Sequence, residues 1–266
     1  MSKLTKNPIF IVLLLLTGFV LLNSFRNQLI QFFAINGEIN VSTKYFIVAT
    51  FNIFFAVVSF YLIKKYKLVD LAGLGKQKLK NWFLLLFPLY IVLINWPEQG
   101  EINFESISTI NYIALLVWCL SVGFSEELMM RGFIQSLFLK KFATTKKRLV
   151  LSVLGAAFIF GILHLVRFDK GLYGEITQVL YATFIGTMFG ALLLRTNKIW
   201  PLIILHGLID FIGNLEKFQA NTTSIAVTTN KSQAIGDSIV IVLVLLPCFI
   251  YGLLLLRKVK VNKIID

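Results

Sequence analysis

Residues 123–133, GFSEELMMRGF, set Glu126, Glu127 and Arg131 inside an otherwise apolar run. Further along, His164 closes FIFGILH, and His206 and Asp210 fall four apart in WPLIILHGLID. These are the chain's only two histidines. An ionisable side chain in hydrocarbon costs at least about 2.5 kcal/mol, so membrane segments keep such groups where they face a cavity or one another. The chemistry they offer is acid–base. A carboxylate in a poorly solvated pocket is a stronger base than one in water, and a neighbouring imidazole can hold or polarise a water.

Helical spacing sorts these groups. Glu127 and Arg131 are four apart and share a face, which allows an ion pair that lowers the cost of both charges. Glu126 points about 100° away from Glu127 and is left for another task. Asp210 lies on the face of His206, where it either orients the imidazole or shares a ligand with it. Gly161 in FIFGILH permits close approach of a neighbouring helix. Blander readings stand beside these: a lone histidine is commonly a satisfied structural residue, and Glu127 with Arg131 is most simply a structural pair. Glu126, His164, His206 and Asp210 also suit a proton or cation relay of the kind found in transporters. Glu175, near the end of its apolar run, reads as a solvated interfacial residue.

Composition sets where these residues live. The chain is 57% hydrophobic and 15% charged, with a mean hydropathy of +0.80, beyond what a soluble domain shows. No polar stretch is long enough to bury a core of its own, so the expected fold is all-α, a single polytopic membrane helical bundle over 1–266. A membrane-crossing helix needs about 20 apolar residues. Eight runs qualify, near 8–25, 45–63, 82–96, 110–139, 149–166, 174–194, 199–215 and 238–256. The third and seventh are short. The fourth is too long for one straight span, which implies tilt, a kink or extension past the bilayer. Spans within 1–109 carry nothing that matches chemistry, 110–215 holds the candidate catalytic core, and 238–256 is the last span.

The net charge of +13 would suggest nucleic acid in a soluble chain, yet here it alternates from loop to loop. With the N-terminus cytoplasmic and eight crossings, 19 basic residues fall inside and six outside, the latter being Arg26, Lys44, Arg167, Lys170, Lys217 and Lys231. That bias puts both termini in the cytoplasm. The basic, apolar start resembles a secretory signal, but no small-residue cleavage site follows it, so it reads as a retained span. Cys119 and Cys248 lie in apolar runs and read as packing residues. The acidic loop PEQGEINFESIST and the polar segment from Glu216 to Asp237 do not look like domains.

In their order, SEELMMRGF, FIFGILH and WPLIILHGLID resemble the E-E-x-x-x-R, F-x-x-x-H and H-x-x-x-N/D motifs of the CPBP family of intramembrane proteases. That family includes type II CAAX prenyl endopeptidases and bacterial proteins of bacteriocin processing and self-immunity, the Abi group. The resemblance covers about 115–214. It implies an enzyme in which Glu126 with His164 activates a water, while His206 and Asp210 stabilise or position the reacting carbonyl, with Glu127 and Arg131 in support. It implies a peptide or protein substrate at the membrane with the lipid bilayer as the setting, while the placement of the basic residues along the chain argues for no nucleic acid. The CAAX enzymes carry Asn where this chain has Asp210, and an ionised aspartate cannot donate a hydrogen bond to an oxyanion. Metal-free glutamate chemistry is the preferred version. The alternative holds zinc among Glu126, His164 and His206, a two-histidine, one-carboxylate set. Counting rise per residue leaves a tension: His206 falls near mid-membrane, His164 toward the outer end of its span, and Glu126 in the inner half of an overlong one.

Overall fold

The structure is a computed structural model that describes residues 7–35, 37, 39–97, 102–166, 171–218 and 231–261. Lys3, Lys6, Arg167 and Lys170, residues 98–101 of the acidic loop and 219–230 of the polar segment lie outside the described residues. Every regular element among the described residues is helical: α1 Pro8–Ile35, α2 Val41–Lys65, α3 Leu89–Ile94, α4 Thr109–Glu127, α5 Ser136–Phe142, α6 Lys146–Leu163, α7 Gly171–Thr196, α8 Trp200–Ile212 and α9 Lys231–Arg257.

Six of the eight expected spans appear as helices long and apolar enough to cross a membrane: Pro8–Ile35, Val41–Lys65, Thr109–Phe142, Lys146–Val166, Gly171–Thr196 and Ile235–Arg257. The third and seventh are present as shorter apolar helices, Trp82–Ile94 and Trp200–Ile212. The third is broken by Pro88, where a 3-10 turn over Trp82–Leu86 gives way to α3. Pro201 sits in the first turn of α8, where its missing N–H has no helical partner to lose. Pro247 is accommodated inside α9.

The overlong fourth span is one helical stretch of 34 residues, Thr109–Phe142. It opens on the hydroxyl of Ser108, which accepts from the Asn111 N–H. Directly after Glu127 it widens into a π-helix over Leu128–Gln135 before tightening into α5. Such widenings cluster at functional sites.

The chain forms two compact units. The first comprises 1–62, 85–129 and 200–224, and thus α1, most of α2, α3, α4 and α8. Phe19 of α1 packs edge to face on Phe55 of α2, with centroids 4.9 Å apart. The amide of Asn52 on α2 donates to the Ser121 hydroxyl on α4, a buried polar link of the kind that holds membrane helices together. Tyr45, Trp118 and Phe218 pack as tilted rings beside the middle of α4, the first two with centroids 4.4 Å apart.

The second unit comprises 63–84, 130–199 and 225–266, including α5, α6, α7 and α9. Its helices meet at glycines. A Cβ on Gly161 of α6 would stand 2.6 Å from the Val179 carbonyl of α7, so the close approach expected at that glycine is made there. One on Gly252 of α9 would stand 2.9 Å from the backbone nitrogen of Met188. Without a hydrophobic drive between helices in lipid, such contacts are what membrane bundles rely on. Cys119 and Cys248 are buried, as packing residues are.

Candidate active site

In the first unit, α4 and α8 cross at two glycines. A Cβ on Gly123 would lie 2.6 Å from the Ile203 carbonyl oxygen and 3.3 Å from the Gly207 nitrogen. A Cβ on Gly207 would lie 3.1 Å from Leu120 and 3.4 Å from the Cys119 carbonyl oxygen. The two backbones therefore touch one turn before Glu127 and at the residue after His206. That approach brings the acidic pair of α4 onto the imidazole of α8.

The imidazole is held between carboxylates. His206 Nδ1 donates to Glu127 Oε1 at 2.8 Å. Nε2, on the other edge of the ring, lies 3.6 Å from Glu126 Oε2 and 3.7 Å from Asp210 Oδ2. The first is a charge-assisted hydrogen bond that fixes ring orientation and tautomer. The other two exceed direct hydrogen-bond length, at a spacing that a shared bridging group closes. Side-chain exposure grades the cluster, with Glu127 at 0%, His206 at 14%, Glu126 at 22% and Asp210 at 27%. The Nδ1 side is sealed, and the Nε2 side is reachable.

Three expectations change here. Glu126, expected to point away from Glu127, meets the same imidazole: the 100° between the two glutamates is spanned by a ring with a nitrogen on each edge. The carboxylate that orients the ring is Glu127 rather than Asp210, since Nδ1 faces α4 while Nε2 faces along α8. The depth tension also dissolves for Glu126 and His206. Counting assumed that α8 crosses the bilayer, whereas it has 13 residues, roughly 20 Å at 1.5 Å each.

His164 and Arg131 belong to the second unit. His164 ends α6 and opens a 3-10 turn, His164–Val166. Its Nδ1 donates to the Phe160 carbonyl at 2.9 Å, and its ring stands edge-on to the Phe160 ring at 4.9 Å. That bond leaves Nε2 as the ring nitrogen with a lone pair in the neutral imidazole. Arg131, in the π-wound stretch, sets its guanidinium over Phe160 at 4.6 Å and Phe189 at 5.6 Å. The Ser136 hydroxyl donates to the Arg131 carbonyl, five residues back, as π-winding dictates. Glu175, expected at a solvated interface, is 1% exposed. It lies a turn inside α7, on the stripe that carries the buried Ala182 and Gly186.

Among the described residues, no group of three or more His, Cys, Asp or Glu side chains is disposed to hold a metal ion. Of the expected zinc set, Glu126 and His206 stand 3.6 Å apart in the first unit, and His164 belongs to the second.

Two signals missed at the sequence level lie beside the motifs. The bond from His206 to Glu127 escapes a reading by spacing, which reports neighbours on one helix and is silent about a second helix. Gly123 and Gly207 flank the acidic pair and the histidine, and small residues beside intramembrane charges mark a helix crossing.

Residues 108–212 match the family model described as type II CAAX prenyl endopeptidase Rce1-like. No curated protein and no solved structure matches the chain significantly. The matched segment opens at the cap of α4 and closes at the end of α8, so it contains all three ordered motifs. Over residues 108–212 this multi-pass membrane protein is similar to that family of intramembrane peptidases, the CPBP group that the motifs resemble.

Proposed function

We propose that the protein is an intramembrane endopeptidase that hydrolyses a membrane-associated peptide or protein with a glutamate-activated water. The observation that carries this reading is the imidazole of His206 held between Glu127 on one edge and Glu126 and Asp210 on the other. Glu126, reachable and in a poorly solvated setting, is the base that takes a proton from the attacking water. Glu127 holds His206 by Nδ1 and so turns Nε2 to the reacting groups. Protonated, Nε2 donates to the tetrahedral oxyanion, the role that removes most of the barrier in acyl transfer. Asp210, on the same face of α8, polarises the ring and does not itself have to donate. This answers the difficulty raised by an aspartate where the CAAX enzymes have asparagine.

His164 carries a role implied by its motif, and substitution tests it. The substrate is a peptide near a membrane surface. CAAX-type processing and bacteriocin processing or self-immunity are the two contexts that the resemblance offers, in a bacterial cell membrane. Glu126→Ala and His164→Ala should each abolish cleavage while the protein remains inserted. Turnover retained by both variants rules out the chemistry. Protein-dependent ion flux in liposomes without peptide release would favour a transporter, and an unchanged cellular phenotype with Glu126→Gln a non-catalytic immunity protein.

A further inference from the structure

The second unit contains a cavity of about 940 Å³ that shares no residue with the acid–histidine cluster. Its lining comes from where helices end. Lys67 lies two residues past α2, Leu139 to Thr144 close α5, Leu193 to Asn197 close α7, and Val259 lies two residues past α9. Several helix ends at one level mark a membrane–water boundary. The loops there hold most of the chain's lysines, which the positive-inside bias assigns to the cytoplasmic face.

The walls are built before any ligand arrives. Lys140 Nζ donates to the carbonyls of Tyr66 at 2.8 Å and Lys67 at 3.2 Å, which caps α2. Arg195 donates to the Lys258 carbonyl, and Lys146 to those of Leu256 and Val259, capping α9. These contacts offset the negative ends of the helix dipoles, which would otherwise repel an anion. The loop 66–80 is pinned to the end of α7 by Lys80 N–H to the Thr196 carbonyl at 3.0 Å and Asn81 to the Arg195 carbonyl at 2.9 Å. Gly73 takes a left-handed φ of +67°, and a Cβ there would stand 2.8 Å from the Ile199 nitrogen.

The lining is amphipathic. Lys67, Lys78 and Lys80 present exposed ammonium groups beside the capping Lys140, and Asp70 is the one carboxylate among the lining residues. Leu139, Leu193, Leu194 and Val259 supply apolar wall. Four cations over an apolar surface at the headgroup level match a phosphate-bearing amphiphile, and basic pockets at that level of helix bundles hold anionic lipid headgroups. A free phosphate shares the charge but has no use for the leucines. We propose that this cavity is a binding site for the phosphate headgroup of an anionic phospholipid.

The test uses the full chain in mild detergent, with fluorescent short-chain phosphatidylglycerol and phosphatidylcholine followed by anisotropy. Phosphatidylglycerol should bind at least about tenfold more tightly. Lys67→Gln, Lys78→Gln and Lys80→Gln together should weaken it roughly 100-fold, since each lysine near an anionic surface contributes about a factor of five. Neutralising Lys76, Lys141 and Lys147, exposed residues outside the lining, should leave it within about threefold. Raising salt from about 0.1 M to about 1 M, which shortens the screening length from roughly 10 Å to roughly 3 Å, should weaken wild-type binding. Equal affinity for the two lipids, an equal loss in the control variant, or salt-independent binding would overturn the proposal. Displacement of the lipid by millimolar inorganic phosphate would assign the cavity to a soluble anion and overturn it as well.

Discussion

Gly123→Ala is the smallest change that separates the two helices bearing the cluster. The added methyl would stand 2.6 Å from the Ile203 carbonyl oxygen, a backbone atom that no rotamer change can move. Restoring contact at roughly 3.4 Å requires the backbones to part by about 0.8 Å. Passed to the next turn, that shift stretches the 2.8 Å bond from His206 Nδ1 to Glu127 Oε1 to about 3.6 Å, where it is no longer a hydrogen bond. The expected cost is about 1–3 kcal/mol for overpacking and about 1.5–3 kcal/mol for the charged hydrogen bond, which outweighs the 0.5–1 kcal/mol or so that alanine gains over glycine in a helix. Gly18→Ala in α1, where nothing lies within 4 Å, keeps only the gain. Two measurements read the difference: melting in detergent, and ring-nitrogen NMR of histidine-labelled protein, which has only His164 and His206 to assign. Gly123→Ala should lower the melting temperature and shift the His206 nitrogens while leaving His164 in place. Unchanged His206 resonances and a melting temperature within a degree of wild type refute the crossing as the device that assembles the cluster.

Glu127→Ala should cost about 3–5 kcal/mol, because it removes the buried partner of a charged hydrogen bond. Glu127→Gln, which still accepts from Nδ1, should recover most of that in the melt and keep the His206 tautomer by NMR. Asp210→Asn should keep peptide release within about tenfold, the range of one donor's contribution or less, because an amide can donate where the carboxylate polarises; a larger loss shows that the charge itself is required. Arg131→Lys should lower stability by about 1–2 kcal/mol through loss of planar stacking on Phe160 and Phe189, read by denaturation, and an unchanged midpoint contradicts the stack. Chelation should leave turnover unchanged, and inactivation reversed by zinc would assign the hydrolysis to a metal mechanism instead.

How much of this was visible beforehand depends on the range of each signal. Apolar runs report length, so the long helices were legible, while a short run such as 199–215 reads as a span though α8 stops at Ile212. The ordered motifs identified the acidic pair and His206 with Asp210 as members of one chemistry. Spacing could not report that Glu127 turns to another helix, because four-residue periodicity sees only its own cylinder. The π-winding after Glu127 has no periodic signature in LMMRGFIQ, and the burial of Glu175 depends on which stripe of α7 is packed. Gly161 was readable as a contact since it stands beside His164. Gly123, equally placed beside Glu126 and Glu127, carried the same information unread.

The most direct measurement compares the peptides released in membranes carrying the wild-type protein with those from membranes carrying Glu126→Gln at matched abundance. Hydrolysis by a Glu126-activated water predicts a set of new peptide termini that appears with the wild type and vanishes in the variant. Identical peptide sets from the two membranes would contradict it.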